Sequence, residues 1–179
     1  MTKSYLIESV RKKAGRNVGP SICSSDSQCV KTSRSGSLER GTNGHKRIKG
    51  RKRHIVVDRL GLILSVVVHA ANQADNKMAL IVLEPLKVFK KLKIVFADGG
   101  YRGALISKVK ATFNLILEIV LVKDSNKGFE VVPKRWVVER TFSWFESYRR
   151  LSKDFEYHPK TSEAMIKLCM IRLMSNRLS

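Results

Sequence analysis

The sequence predicts an α/β fold in which helices flank a mixed sheet, and three observations support this prediction. Two β-rich runs, 55–58 and 62–68, are separated by the short segment 59–61, which is a hairpin signal. Beyond residue 75, helical patterns alternate with short apolar runs, as in sheets whose strands are joined through helices. The segment 133–150 then has the pattern of a long amphipathic helix.

The first part of the chain contains one helix and one strand. Residues 4–10 predict a short helix, and a linker rich in breakers follows to about residue 21. Residues 21–31 alternate loosely enough for a strand, and 32–44 predict a mobile loop because Ser, Gly, Thr and Asn dominate there. The hairpin comes next. Its second run is apolar on both faces, which predicts a central strand covered on both sides rather than an edge strand.

The second part of the chain alternates helices and strands. The helix expected over 76–89 is interrupted by Pro85, because proline cannot continue a helical hydrogen-bond ladder. The remaining expected elements are a strand at 92–97, a helix at 104–113, a strand at 115–122, a glycine turn near Gly128, the helix from Pro133, and a last helix from Pro159. With 179 residues, 43% of them hydrophobic, the chain is long enough for one good core.

The charge of the chain points to a polyanionic partner. There are 35 Lys and Arg residues against 15 Asp and Glu residues, which gives a formal charge of +20 and a pI near 10.3. The densest run lies within 45–54, where six of ten positions are cationic. A solvated loop is the alternative, but six like charges repel one another in water, and their clustering is better explained if phosphates neutralise them. These six residues are Lys46, Arg47, Lys49, Arg51, Lys52 and Arg53.

Several other classes of protein and site are disfavoured by the sequence. It contains no run of eighteen apolar residues and no apolar signal core, so we expect no membrane association and no export. The three cysteines lack Cys-x-x-Cys spacing, which favours a reducing cytoplasm over a disulfide frame or zinc site. His45, His54 and His69 have no metal spacing among themselves, and we interpret them as surface or core residues.

Three acidic residues occupy positions suited to a site. Asp26 lies inside the first strand, Asp98 ends an apolar run before two glycines, and Glu139 lies on the long helix. Ligands in such sheets bind beyond the carboxyl ends of strands. Clustered carboxylates repel one another unless divalent cations bind between them, and hard oxygen ligands select Mg²⁺ or Mn²⁺. The alternatives without a function are a turn at Asp98, a cap or turn at Asp26, and a surface ion pair between Arg135 and Glu139.

Four blocks of the sequence together resemble bacterial insertion-sequence transposases of the Asp-Asp-Glu class, in the insertion-sequence-4/5-like superfamily. The resemblance runs from about Gly15 to the carboxyl end, and the blocks are 26–32, 48–58, 96–103 and 133–142. It implies a ribonuclease-H-like fold whose mixed sheet has an antiparallel three-strand part plus parallel strands. It also implies two-metal cleavage at transposon ends and transfer of the 3′-hydroxyl into target DNA.

The same resemblance assigns roles to individual residues. Asp26, Asp98 and Glu139 match the catalytic, metal-binding triad, which takes two Mg²⁺ or Mn²⁺ ions, and Arg135 matches the arginine four residues before the glutamate. Apart from this resemblance, the residues that we expect at the DNA besides the basic run are Tyr101, Arg102, Arg149 and Arg150. For Tyr101 and Arg102, which directly follow the Asp98 turn, a structural role is an equal alternative.

The sequence also departs from the pattern of these transposases. We expect that the usual amino-terminal region is missing, and we therefore interpret residues 1–21 as its remnant and 22–179 as the catalytic domain. Val132 stands where a tyrosine is usual, and Glu146 stands where a lysine is usual. An acidic residue at that place would repel phosphate.

The leading hypothesis is therefore a Mg²⁺-dependent DNA transposase, amino-terminally shortened, acting on double-stranded DNA in the cytoplasm at the nucleoid, with a homodimer on DNA as the possible assembly. A catalytically inactive, sequence-independent DNA-binding remnant is the alternative. A structure-specific nuclease of similar fold ranks third.

Overall fold

The computed structural model describes residues 3–33, 37–121 and 135–179, which form a six-stranded mixed sheet with five α-helices. The strands are β1 Ile22–Lys31, β2 Gly41–Asn43, β3 Ile48–Val57, β4 Ile63–Ala70, β5 Ile94–Ala97 and β6 Ile116–Ile119. The α-helices are α1 Lys3–Lys13, α2 Asp75–Leu83, α3 Leu105–Phe113, α4 Trp136–Glu146 and α5 Pro159–Leu178. Three 3₁₀ turns cover Glu84–Val88, Gly99–Tyr101 and Arg149–Leu151.

The sheet combines antiparallel and parallel pairing, as predicted. Its strand order is β2-β3-β1-β5-β6, and β4 pairs with β3 beside β2. Strand β3 is antiparallel to β1 and β4, which makes the three-strand part, whereas β5 is parallel to both β1 and β6. Strands β1 and β5 run in the same direction and stay paired as far as Ser24 and Phe96, beyond which β1 continues to Lys31 whereas β5 ends at Ala97.

Strand β4 corrects the prediction of a central strand. Among the described strands it pairs with β3 alone, so it is an edge strand that is nevertheless buried along most of its length. Helix α5 covers its open side, where Glu163 Oε1 accepts a hydrogen bond of 3.2 Å from the Val68 N–H. Apolar residues on both faces therefore reflect cover by helices, which also protects the edge from pairing with another chain.

Two other local predictions are corrected at the start of the sheet. The basic run is mostly strand, since β3 begins at Ile48 and continues to the hairpin. The predicted loop 32–44 contains the short strand β2, which pairs with β3 at Gly50. The glycine turn near Gly128 and Val132 lie outside the described residues.

The predicted helices lie close to their expected bounds. Helix α2 ends at Leu83, and the chain continues as a 3₁₀ turn with Pro85 in its first positions, which confirms the break there. Helix α4 ends at Glu146 rather than at residue 150, because Arg149–Leu151 forms a separate turn. Its apolar side is buried as predicted, with Val138 and Phe145 fully inaccessible to solvent.

Helix α1 packs into the same core as the rest of the chain. Leu6, Ile7 and Val10 are buried, and Lys13 Nζ donates to the carbonyl of Leu178 at the end of α5. The Arg11 guanidinium forms a buried ion pair with Asp58 in the hairpin turn. The division into a leader at 1–21 and a domain at 22–179 stays a prediction. In the part of the chain that the structure describes, no helix is both long and apolar enough to span a membrane.

Candidate active site

Asp26 and Asp98 lie next to each other on neighbouring parallel strands. Ser24 of β1 is level with Phe96 of β5, and each aspartate comes two residues later in its chain. Asp98 directly follows β5, and its Oδ1 accepts a hydrogen bond of 2.8 Å from the Gly100 N–H. The turn-forming role of Asp98 is therefore real, and it orients the carboxylate at the carboxyl end of the strand. This is the edge at which open α/β sheets bind ligands.

Glycine at position 100 allows this tight turn. A Cβ atom added there would stand only 3.0 Å from Asp98 Oδ1, closer than side chains normally approach. The backbone N–H of Gly100 can therefore reach the carboxylate because no side chain intervenes.

Arg135 connects Glu139 to Asp26. Its Nη2 atom lies 3.5 Å from Asp26 Oδ2 and 3.6 Å from Glu139 Oε1. Helix α4 brings these groups to the sheet because its buried side packs against β1 and β3. The Arg135 and Asp26 side chains are only 15% and 16% exposed, while that of Glu139 is 51% exposed. Arg135 and Glu139 thus belong to a partly buried cluster rather than to an isolated surface pair.

The electrostatic surroundings of Asp26 are unfavourable for its charge. The pKa of Asp26 is raised to about 6, chiefly because burial disfavours the charged form. The negative charges of Asp98 and Asp75 contribute to this rise, whereas the Ser27 backbone N–H and Arg135 oppose it. The Ser27 N–H donates to Asp26 Oδ1 at 2.7 Å. A carboxylate in this position gains from an additional nearby cation, because a positive charge favours its ionised form.

The structure corrects the prediction that Arg51 binds DNA phosphates. Its side chain is 0% exposed, so it cannot contact a ligand at the surface. The guanidinium forms an ion pair of 3.2 Å with Asp154 and donates to Ser162 Oγ at 3.1 Å. Its other donors go to backbone carbonyls of the loops that cover it, namely those of Leu38, Glu156 and Tyr157.

Lys52, Arg53 and Tyr101 are corrected for the same reason, since they are 7%, 2% and 0% exposed. Lys52 Nζ lies 3.0 Å from Asp75 Oδ1, and Arg53 Nη1 donates to the carbonyl of Leu151 at 2.6 Å. The Tyr101 hydroxyl hydrogen-bonds to His54. Three of the six cations in the basic run therefore stabilise the fold.

The other predicted DNA residues are exposed. They are Lys46, Arg47, Lys49, Arg102, Arg149 and Arg150. Arg150 is partly engaged, because its Nε and Nη2 atoms lie 3.1 and 3.0 Å from Glu156 Oε1. Glu146, which occupies the place where a cation was expected, is exposed at the last residue of α4.

A groove of about 490 Å³ brings part of the basic run together with cations from other parts of the sequence. Arg47 and Lys49 line it with Lys31, Arg40 and Lys153, and we call it the cationic groove. Lys31 ends β1, whereas Lys153 follows the turn after α4 and is more than a hundred residues away in sequence. No sequence run could have indicated this group, because only the fold makes its members neighbours.

Comparisons with known proteins agree with this architecture. Residues 18–174 match the family described as "Transposase DDE domain". The chain is similar to a Burkholderia cepacia protein assigned as the transposase for insertion sequence element IS402, with 29% identity over 93% of this chain and 84% of that protein. The fold is similar to the catalytic core domain of BIV integrase, with a TM-score of 0.51 and 14% identity over 87% of this chain and 84% of the other.

These similarities confirm the predicted ribonuclease-H-like fold and the predicted class of enzyme. The family match spans almost the whole described chain, including both aspartates and the helix that carries Glu139. The chain belongs to the transposase DDE domain family and is a DNA transposase of the bacterial insertion-sequence type, an enzyme that cleaves and joins phosphodiester bonds.

Proposed function

We propose that Asp26, Asp98 and Glu139 are the metal-binding residues with which this transposase cleaves DNA at transposon ends. The observation that supports this most directly is the contact of one guanidinium, that of Arg135, with both Asp26 and Glu139, while Asp98 lies beside Asp26 on the neighbouring strand. Residues far apart in the sequence are thereby gathered at one edge of the sheet.

The residues at this edge fit a divalent cation. All three offer carboxylate oxygen atoms, which are hard ligands suited to Mg²⁺ or Mn²⁺. The raised pKa of Asp26 indicates that its charge lacks compensation in the present surroundings, where Arg135 is the nearby cation. We expect two ions, which when bound would activate the attacking oxygen and stabilise the leaving one.

Arg135 is proposed as a positioning residue. Its guanidinium lies between Asp26 and Glu139 and so holds the exposed Glu139 side chain toward the more buried aspartate. Asp98 is oriented independently by the Gly100 N–H. All three carboxylates therefore have protein contacts that do not depend on DNA, which reduces the ordering required when DNA binds.

The cationic groove is the part of the surface that we propose for double-stranded DNA. It contains five basic side chains, which can contact phosphates without reading base sequence. Lys46, Arg102 and Arg149 are exposed cations that can add to this contact. We further expect that the protein forms a homodimer on DNA and that it resides at the nucleoid.

Nicking of supercoiled plasmid in Mg²⁺ or Mn²⁺ tests the assigned roles. The unmodified chain should nick, and Glu139→Gln and Asp98→Asn should reduce nicking by orders of magnitude while leaving plasmid binding intact. Glu146→Gln is the matched control, because Glu146 is an exposed glutamate two turns further along the same helix. Equal nicking by Glu139→Gln and the unmodified chain contradicts the assignment. Binding without nicking by the unmodified chain identifies the inactive remnant instead.

A further inference from the structure

Two histidines and an aspartate that are dispersed in the sequence form a compact buried cluster. His54 lies on β3, His69 on the neighbouring β4, and Asp75 at the first residue of α2. One ring nitrogen of each histidine and one carboxylate oxygen of Asp75 all lie within 4.8 Å of one another. In the sequence both histidines resemble surface or core residues, because their spacing of fifteen positions is not a ligand pattern. The hairpin register brings them together.

Each histidine has one ring nitrogen without a partner among the described residues. His69 Nδ1 lies 3.1 Å from the carbonyl of Ala70, and a carbonyl can only accept, so the proton is on Nδ1. The lone pair is therefore on His69 Nε2, which is buried and makes no hydrogen bond among the described residues. His54 Nε2 contacts the Tyr101 hydroxyl, whereas His54 Nδ1 is buried without a partner. Buried polar atoms of this kind are usually satisfied by an ordered water molecule or an ion, and here two of them belong to the same cluster.

The protonation of the cluster suits a cation rather than a proton. Burial lowers the pKa of His54 to about 3 and also lowers that of His69, so both rings are neutral at pH 7. Burial alone would raise the pKa of Asp75, but hydrogen bonds from Lys52 and Ser27 lower it, so this group is ionised. Its Oδ1 accepts from Ser27 Oγ at 2.8 Å and from Lys52 Nζ at 3.0 Å. A carboxylate has about four lone-pair sites, so Asp75 can still bind a further group.

We propose that His54, His69 and Asp75 form a site for a divalent transition-metal ion, for which Zn²⁺ has the best-matched chemistry, with the fourth coordination position left to a non-protein ligand such as water. Two imidazole nitrogens and one carboxylate oxygen are a ligand set that zinc accepts, whereas Mg²⁺ prefers oxygen ligands alone. The contacts around the ligands also fit. The Ala70 carbonyl orients His69, and the Tyr101 hydroxyl orients His54, as outer partners orient histidines at metal sites.

This site is distinct from the proposed catalytic carboxylates. Ser25 and Ser27, which contact His54 and Asp75, flank Asp26 on β1, and successive side chains of a strand point to opposite faces of the sheet. The cluster therefore lies on the face opposite Asp26. It joins β3, β4 and α2, and through Tyr101 it reaches the turn that follows Asp98. A bound ion would brace that turn from behind without contacting DNA.

Zinc binding by the full chain tests the proposal. The protein is dialysed against chelator, loaded with Zn²⁺, desalted, and its metal content and zinc affinity are measured. We expect one zinc per chain, and at least about a 10-fold to 100-fold weaker affinity in His69→Gln, since loss of even an outer partner has an effect of that size. His45→Gln is the matched control, because His45 is exposed and outside the cluster. Cys29→Ser and Asp98→Asn should also retain the zinc, which excludes binding at the Cys29 thiol, the least buried of the three, or at the proposed catalytic carboxylates.

A spectroscopic measurement keeps the test independent of any variant that fails to fold. Co²⁺ bound to the unmodified chain should give visible ligand-field bands without a thiolate charge-transfer band, because the ligands are nitrogen and oxygen. Absence of these bands, a zinc-free unmodified chain after desalting, or equal zinc loss in His69→Gln and His45→Gln overturns the proposal. None of these outcomes depends on DNA cleavage.

Discussion

Substitution of Arg51 by lysine should destabilise the protein although it preserves the charge. The guanidinium of Arg51 is fully buried and donates to five acceptor groups, which belong to Leu38, Asp154, Glu156, Tyr157 and Ser162. An ammonium group has only three N–H donors and lacks the planar fork of arginine. At least two of these acceptors, which lie in buried or part-buried hydrogen bonds, therefore lose the donor that Arg51 supplies.

The size of the effect follows from the number of acceptors that lose a donor. An unsatisfied buried polar group costs about 1–3 kcal/mol, so two of them lower the free energy of unfolding by about 2–6 kcal/mol. For a chain of this length, each 1 kcal/mol corresponds to a shift of about 2–4 °C in Tm. Arg51→Lys should therefore melt about 4–24 °C below the unmodified protein.

Urea unfolding and the salt dependence of DNA binding together provide the assay. Arg51→Lys should unfold at lower urea concentration, but its DNA affinity at low temperature should depend on salt as in the unmodified chain. Lys49→Ala is the contrasting variant, because Lys49 belongs to the same strand and is exposed in the cationic groove. It should change stability by less than about 0.5 kcal/mol and reduce the slope of log affinity against log salt by about 0.9. Unchanged stability of Arg51→Lys, combined with weaker DNA binding, would refute the buried role.

Three further substitutions probe other parts of the structure. Gly50→Ala should destabilise the sheet strongly, because the added Cβ would come 2.0 Å from the Val30 carbonyl oxygen, whereas Gly44→Ala has open space and should melt almost unchanged; equal melting temperatures contradict this. Glu146→Lys should increase DNA affinity and steepen its salt slope by about 0.9, because Glu146 is exposed and lines a pocket together with Lys31 and Lys153 of the cationic groove; an unchanged slope places DNA elsewhere. Phe145→Ala should lower the free energy of unfolding by about 3–5 kcal/mol in urea titrations, since this fully buried ring fills the core beneath α4, and a loss below about 1 kcal/mol would contradict that packing.

The features that the sequence predicts well have local signals. The hairpin of β3 and β4 was recognisable from two β-rich runs around a short turn, and the buried side of α4 from the spacing of Val138, Phe142 and Phe145. The placement of Asp98 after a short apolar strand was local in the same way. Periodicity and turn residues carry information about neighbouring positions only, and this local information is sufficient to predict these elements.

The features that the sequence did not predict depend on partners far along the chain. Arg51 and Lys49 are both cations of the same basic run, so the sequence does not distinguish them. The acceptors of Arg51, Asp154 and Ser162, lie about a hundred residues away and become its neighbours only through folding. The edge position of β4 depends on cover by α5 and could not be distinguished from a central position by its apolar residues. The contact of Arg135 with Asp26, which separates a site from a surface ion pair, is likewise a long-range contact.

Anomalous diffraction from crystals grown with Mn²⁺ would test the proposed catalytic assignment most directly. The assignment predicts manganese peaks bound by the carboxylates of Asp26, Asp98 and Glu139, with the Arg135 guanidinium adjacent. Asp98→Asn crystals prepared in the same way should lose occupancy at these peaks. Manganese bound elsewhere, or a Glu139 carboxylate directed away from the two aspartates in the Mn²⁺-loaded protein, would contradict it.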